Sequence, residues 1–290
     1  MKEALFQLTN QQVDDVRQLA HTCQKVDGYL LPVYPHILTT PRHYPSTYMH
    51  YVNKKLMGFI GIYFFYQDAV EITLMVHPDA RRLGIGTQLV SRIIPILSAL
   101  NLSDVIFSCI PKSLESWLSE KEFKYYESEF EMMRFSKERI DVNAPKLLIQ
   151  KATHHDIPIL NKIDEACFDD NLADVSRLNQ LIEDRQYKIM VGLYDQTIIA
   201  KAHIRWLDDT AKLSDIAVTP QHQGKGFGRE MIAHCINYSL DTHHLPASLD
   251  VQTKNVTAIN LYTKLNFETI NQIDFWKISL YKLKHLVSNQ

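Results

Sequence analysis

The chain has 290 residues, 46% apolar and 22% charged, with a formal net charge of −2. That length and composition predict about two soluble globular domains, and the near-neutral balance excludes recognition of nucleic acid through bulk positive charge. No apolar run reaches the ~20 residues of a membrane span, and the start MKEALFQLTNQQ has no secretory h-region or small-residue cleavage site. The expected location is therefore cytoplasmic, with export through a non-cleaved signal left open, and neither membrane nor nucleic acid is an expected partner.

In chain order, EALFQL (3–8) reads as a short strand, and Thr9-x-x-Gln12 is a capping box opening a helix to about Thr22. Strands TYMHYV (47–52), LMGFIGIYFFY (56–66) and VEITLMV (70–76) follow, with a hairpin turn at Asn53-Lys54-Lys55. A glycine-bearing turn, an amphipathic helix, the strand SDVIFSC (103–109) and another helix come next. The same order then returns. KLLIQK (146–151) leads to Thr153 and a helix to about Cys167; YKIMVGLY (187–194), TIIAKAHIRWL (197–207) and AKLSDIAV (211–218) follow, the first two joined at Asp195-Gln196. A glycine turn, a helix, ASLDVQ (247–252) and a further helix close the pattern.

Val76 and Val218, Pro78 and Pro220, Gly84 and Gly226, and Gly86 and Gly228 each lie 142 positions apart, so the repeating unit is a whole domain. The polar stretch SKERIDVNAPKL (136–147), with Pro145, is the expected seam. The expectation is an α+β protein of two domains, 1–142 and 143–290, each a mixed, mostly antiparallel sheet flanked by helices.

Three of the nine glycines, Gly224, Gly226 and Gly228, fall within VTPQHQGKGFGREM (218–231). A strand that turns through glycine into a helix leaves backbone N–H groups unpaired and pointing one way, and the helix start adds partial positive charge. The stretch predicts an anion cradle sized for a pyrophosphate, with a side-chain contact from Gln223 and charge from Lys225 or Arg229. It is neither a Walker A loop nor a Rossmann fingerprint, because the Gly-Lys-Ser/Thr run and the third glycine of GxGxxG are missing. Taken alone, these residues also fit a glycine turn without a ligand.

Downstream, LDVQTKNVTAINLYTKLNF (249–267) adds a strand end, a helix opened by Asn255, and Leu261-Tyr262 before Phe267. Together the two motifs resemble the GNAT family of acetyl-CoA-dependent N-acetyltransferases. Its pattern, Gln/Arg-x-x-Gly-x-Gly/Ala followed by Asn-x-x-Ala-x-x-Leu-Tyr-x-x-x-Gly-Phe, is matched at Gln223, Gly226, Gly228, Asn255, Ala258, Leu261, Tyr262 and Phe267. Asn266 stands where glycine is usual, and asparagine is the next residue to tolerate a left-handed helix end.

The resemblance covers both halves and implies two tandem GNAT domains. It also implies acetyl-CoA as co-substrate with no metal, and direct attack by the primary amine of an amino sugar, small molecule or protein. It places the cofactor at Ala217, Val218, Gln223, Gly224, Lys225, Gly226, Phe227, Gly228, Arg229 and Asn255 in the second half. In the first half the matching positions are Val76, Arg81, Arg82, Gly84 and Gly86. It gives Tyr262 the role of acid to the leaving sulfur. An alkylamine of pKa near ~10 is almost wholly protonated at neutral pH, so a base is needed; Asp250 is the candidate and Asp215 its rival.

Cys109 and Cys167 are the candidates for a covalent acyl-cysteine route, though neither has a His in a recognisable motif. The four cysteines form no CxxC pair and the thirteen histidines no HExxH spacing, which offers no metal site. In the first half Leu118, Pro111 and Ile106 stand where Tyr262, Asn255 and Asp250 stand in the second. That half is expected to be catalytically degenerate, unless Glu71 with Tyr125 or Tyr126 builds a different site. Its Pro-rich stretch with Tyr29, Tyr34, Tyr44 and Tyr48 is a candidate protein-partner or sugar surface, or packing. In the second half Asp169, Asp170 and Asp174 are candidates to attract a cationic amine. The competing function is a CoA-binding interaction protein without activity.

Overall fold

The computed structural model describes residues 2–112, 115–168 and 175–288. The fold is α+β and consists of two compact units, residues 1–129 with 271–290, and residues 130–270. The chain runs β1 (Lys2–Leu5), α1 (Asn10–Asp27), α2 (Pro35–Leu38), β2 (Thr47–Val52), β3 (Lys55–Tyr63), β4 (Ala69–Val76), α3 (Ile85–Ala99), β5 (Asp104–Cys109), α4 (Glu115–Glu120) and β6 (Lys124–Arg134). It continues through β7 (Leu148–Lys151), α5 (Ile157–Cys167), α6 (Val175–Glu183), β8 (Tyr187–Tyr194), β9 (Thr197–Trp206), β10 (Ala211–Val218), α7 (Phe227–His243), β11 (Ala247–Gln252), α8 (Val256–Lys264), β12 (Glu268–Ser279) and α9 (Leu280–Ser288).

The local signals act as expected. Thr9 and Gln12 exchange both bonds of a capping box, and Thr153 does the same with Asp156. Both hairpin turns use left-handed residues, Asn53 and Lys54 at φ 50° and 63°, Asp195 and Gln196 at 47° and 64°. Such pairs follow the right-handed twist of the flanking strands.

In the first unit the strand order is β1-β2-β3-β4-β5-β12, and in the second β6-β11-β10-β9-β8-β7. Neighbours are antiparallel in β1–β2, β2–β3 and β3–β4, as in β7–β8, β8–β9 and β9–β10. The parallel pairs are β4–β5 and β10–β11. Strand alternation feeds an apolar layer on each face. In the first unit Ile60, Ile62, Val70 and Ile72 pack with Leu89 and Ile93 of α3, while Phe59, Tyr63 and Met75 pack with Val13, Val16 and Leu19 of α1. In the second, Ala200, Ala202 and Ile204 pack with Met231, Ile232 and Cys235 of α7.

The units do not follow the single boundary at 142/143. The last strand belongs to the first unit because β12 pairs antiparallel with β5, from Asp274 opposite Cys109 to Ser279 opposite Asp104. Trp276 and Ile278 are buried in the α3 core with Leu280 and Leu283 of α9. The seam, in turn, is stitched to the second unit. Arg139 pairs with Asp241, the Ile140 N–H donates to Asn237 at 2.8 Å, and the Leu147 N–H donates to Glu230 at 2.7 Å. Local propensity reveals a strand but not its partner, so this exchange left no signal in the sequence pattern.

Removing residues 271–290 strips β5 of an antiparallel partner. Hydrogen exchange at Val105–Ser108 is expected to accelerate by more than tenfold in the truncated protein; unchanged protection there contradicts the pairing.

Candidate active site

The site grows from a strand pair that separates. β10 and β11 run together only from Ala211 opposite Ala247 to Leu213 opposite Leu249. Beyond that point β10 continues along β9, with a register shift between Ser214 and Ala217. Two residues there oppose one on β9, a β-bulge, and Asp215 within it adopts φ 48°. The bulge bends β10 away and opens a fork whose β10 side is the backbone of Ala217 and Val218. The sequence carried no clear sign of it, since an aspartate in a strand pattern is the only anomaly.

At the end of β10 the chain turns through Gly224 and Gly226, at φ 74° and 92°, into α7. No side chain caps this helix start, so its first N–H groups are free for an anion. A Cβ on Gly224 or Gly226 meets nothing within 4 Å; the glycines serve the backbone conformation and leave open room in front of it. Gly228 has a different task. A Cβ there lies 3.8 Å from Leu261 of α8 and from Val218 of β10, so the three elements meet at this point. These features fit a CoA pyrophosphate.

The other expected residues divide between ligand-facing and framework positions. Lys225 and Arg229 are exposed at the cradle, the Lys225 ammonium donating to the Gln221 carbonyl at 2.9 Å. Phe227 is 3% exposed and packs its ring 5.0 Å from that of Tyr194, so it offers the site its backbone alone. Gln223 turns back, its amide donating to the Val218 carbonyl at 2.9 Å. The Cys167 thiol donates to the same carbonyl at 3.4 Å, filling both lone pairs. Asn255 caps α8, accepting from the Ala258 N–H at 3.1 Å. Asn266 takes the left-handed conformation at φ 63°.

Tyr262 is 8% exposed beside Phe267 in the α7 core, where burial pushes its phenol up to about 12. It is a proton donor throughout the neutral range. Asp250 projects from β11 between Leu249 and Val251, which face that core, and its carboxylate accepts from Lys212 at 2.6 Å. Asp215 faces His203, with Oδ2 3.4 Å from Nδ1. Burial alone would raise the Asp215 carboxyl, but His203, Lys201 and the Ser214 hydroxyl outweigh it and hold it well below the usual range. A carboxylate so strongly stabilised is a poor proton acceptor.

Neither cysteine is activated. Burial raises both thiols, Cys109 to about 12 and Cys167 by less, and thiolate chemistry needs the opposite. Asp169, Asp170 and Asp174 lie outside the described residues. Among the described residues no cluster of His, Cys, Asp or Glu is placed to hold a metal ion, and no helix is long and apolar enough to cross a membrane.

The first unit repeats the frame with other chemistry. β4 and β5 pair from Ala69 opposite Asp104 to Ile72 opposite Phe107 and then separate, but β4 keeps a regular register with β3 and has no bulge. Arg82 and Gly84 adopt φ 64° and 78° at the positions of Gly224 and Gly226, and α3 starts without a side-chain cap. Gly86 lies against Leu74 and Val76 as Gly228 lies against its neighbours. Arg81 is committed elsewhere, its Nη1 and Nη2 donating to Asp27 at 2.7 and 2.5 Å and its Nε to the Val76 carbonyl at 3.2 Å.

Leu118 is 4% exposed in the core and offers no proton. Glu71, 4% exposed on β4, accepts from the Tyr34 hydroxyl at 3.1 Å and the Ser108 hydroxyl at 3.3 Å. Tyr125 and Tyr126 instead pack against Trp276 and Tyr66. Tyr34 also packs edge-on to Tyr63, Tyr44 lies half-exposed near Phe64, and Tyr48 is buried, so the tyrosine-rich stretch is largely packing.

An open fork between parallel strands beside an uncapped, glycine-turned helix start, present twice, defines a tandem GNAT fold. The Acetyltransferase (GNAT) family profile matches residues 13–116 and 157–267, and the chain belongs to that family. A GCN5-related N-acetyltransferase from Sphaerobacter thermophilus superposes with TM-score 0.77 at 12% identity, covering 97% of this chain and 95% of its own. A tandem GNAT protein from the clavulanic acid biosynthesis pathway superposes with TM-score 0.71 at 11% identity, covering 97% and 98%.

By sequence, a streptothricin acetyltransferase of Escherichia coli is 35% identical over 98 residues, which are 33% of this chain and 53% of that protein. The spermidine N(1)-acetyltransferase of Vibrio cholerae is 29% identical over 106 residues, 36% of this chain and 56% of that protein. The chain thus spans about half the length of these curated relatives.

Two measurements check the site. Gly226→Ala forces a side chain into φ 92° and is expected to cost about 1–2 kcal/mol and weaken CoA binding. Gly228→Ala, with ordinary 3.8 Å contacts, should change stability little; equal effects of the two in thermal unfolding contradict this assignment. The second concerns Glu71, which burial raises from 4.5 to about 7. Folding penalises its ionised form, so stability falls as pH rises from about 4.5 to about 7, by on the order of 3 kcal/mol if fully expressed. Glu71→Gln is expected to flatten that slope and to be more stable than wild type at pH 8 in denaturant titrations.

Proposed function

We propose that the second unit transfers an acetyl group from acetyl-CoA to a primary amine by direct attack in a ternary complex. The observation that carries this reading is the bulged fork beside the Gly224–Gly226 cradle, with a buried, protonated Tyr262 in the helix that meets the cradle at Gly228. When bound, acetyl-CoA supplies a thioester carbonyl open to nucleophilic attack. The free N–H groups at the start of α7 hold the pyrophosphate, assisted by Lys225 and Arg229. The Ala217–Val218 edge of β10 aligns the extended arm of CoA within the fork as an added strand would be aligned. Tyr262 donates a proton to the departing sulfur. Asp250 lies on the opposite face of β11, its charge balanced by Lys212.

The acceptor is a small-molecule amine, an amino sugar or a protein amine. The relatives named for streptothricin and spermidine support the amine class. The first unit keeps the cradle conformation without a phenol at Leu118, which supports CoA binding without thiolate protonation. The protein then works with one catalytic unit and one supporting unit.

The test is thiol release from acetyl-CoA over a panel of polyamines, amino sugars and lysine peptides, with wild type beside Tyr262→Phe. Release should require one amine class, and kcat should fall at least tenfold in the variant while CoA affinity holds within about twofold. CoA binding without release for any amine would instead favour a CoA-dependent interaction module.

A further inference from the structure

The face of β9 turned away from α7 is charged where a strand buried in a domain is usually apolar. Ala200, Ala202 and Ile204 face the α7 core, while Lys201 and His203, at 0% and 1% exposure, and Arg205 face the other way. Lys201 forms an ion pair with Asp164 of α5 and lies 5.7 Å from the Phe168 ring. Arg205 lies over the Tyr187 ring of β8 at 5.3 Å. His203 stands opposite Ser214, the first residue of β10 beyond the last pair with β11. The bulge then turns Asp215 toward it. Nδ1 of His203 has only the Asp215 carboxylate, at 3.4 Å, and Nε2 has no hydrogen-bond partner, although both are buried. Burying an unsatisfied polar group costs roughly 1–3 kcal/mol, a cost that packing alone does not explain.

We infer that His203 is the proton acceptor for the attacking amine, with Asp215 orienting the ring and balancing the imidazolium. This rests on acetyl transfer at the fork. The other groups on this side are committed. Asp250 is tied to Lys212 and Asp164 to Lys201, and Cys167 donates to the Val218 carbonyl.

His203 lies on the strand next to the fork, opposite Ser214 where the fork opens, with Nδ1 toward a carboxylate and Nε2 unclaimed. That is the geometry in which a carboxylate orients an imidazole base. As the amine nitrogen bonds to the acetyl carbon, its proton passes to the imidazole, directly or through one water. The carbon–sulfur bond breaks, and the thiolate takes its proton from Tyr262. Return of the imidazole proton to solvent and of a solvent proton to the phenolate restores both groups.

Charged or titratable groups around His203 are Asp215 from β10, which it pairs with, Lys201 and Arg205 two positions either side on the same face of β9, and their partners Asp164 of α5 and Tyr187 of β8.

The test measures amine-dependent thiol release from pH 6 to 9 for wild type, His203→Asn, His203→Ala and Asp215→Asn, with unfolding midpoints checked in parallel. The expected result for His203→Asn is a fall in kcat of at least a hundredfold, loss of the acidic limb of the rate profile, and a KM for acetyl-CoA within about twofold. Added imidazole should restore activity to His203→Ala, which a structural histidine would not allow. Asp215→Asn keeps the ring, so it tests the pair even where the His203 variants fail to fold. Its kcat should fall at least tenfold with the KM for acetyl-CoA within about twofold, because the ring loses the carboxylate that orients it.

Wild-type rates and limb in His203→Asn, or a wild-type kcat in Asp215→Asn, overturn the inference and leave acetyl transfer standing. A wild type without amine-dependent release overturns both.

Discussion

A parallel strand pair that comes apart inside a domain leaves backbone N–H and C=O groups with no partner strand, and buried backbone groups must be satisfied. This constraint organises the second unit. β10 and β11 share a register for a few residues and then separate because two residues of a bulge oppose one on β9. The edge so exposed ends at a helix start that no side chain caps. Strand edge and helix start are open on the same short segment, the place where secondary structure is incomplete.

What keeps such an edge from collapsing is visible in both units. In the first, the Val76 carbonyl accepts from the Cys23 thiol at 3.6 Å and from Arg81 Nε at 3.2 Å. In the second, the Val218 carbonyl accepts from Cys167 at 3.4 Å and Gln223 at 2.9 Å. The same carbonyl is held from the same two places, the first helix and the head of the glycine motif. The Gln or Arg that opens the motif is thus a brace for the strand end.

Much of this frame was legible in the sequence because its signals are local. The Thr9 capping box, the Asp195-Gln196 turn and the glycine turn each depend on residues adjacent in the chain, and the 142-residue repeat is the recurrence of such local patterns. What stayed hidden depends on partners distant in sequence. β12 pairs with β5 across more than half the chain, and nothing in its residues names that partner. The bulge at Asp215 is a mismatch between two strands and cannot be read from one. No motif in the sequence surrounds His203, and only the strand register places it opposite Ser214.

The divergence between the halves follows from which positions carry the frame and which carry the chemistry. The left-handed residues are kept at 82, 84, 224 and 226, and the chain leaves the last helix before the terminal strand at φ 63° at both Glu122 and Asn266. Those positions set backbone direction, and a change there moves whole elements. Leu118 and Tyr262 occupy comparable buried ground, both beside a core phenylalanine. The two differ by a phenol that is present at one position and absent at the other, and both sit buried in the frame. Asp27 neutralises Arg81 and β4 lacks the bulge, and neither difference disturbs the sheet. Buried side chains at matching positions of the two units can therefore differ while the backbone, held by the constraints of the fork, stays recognisably the same.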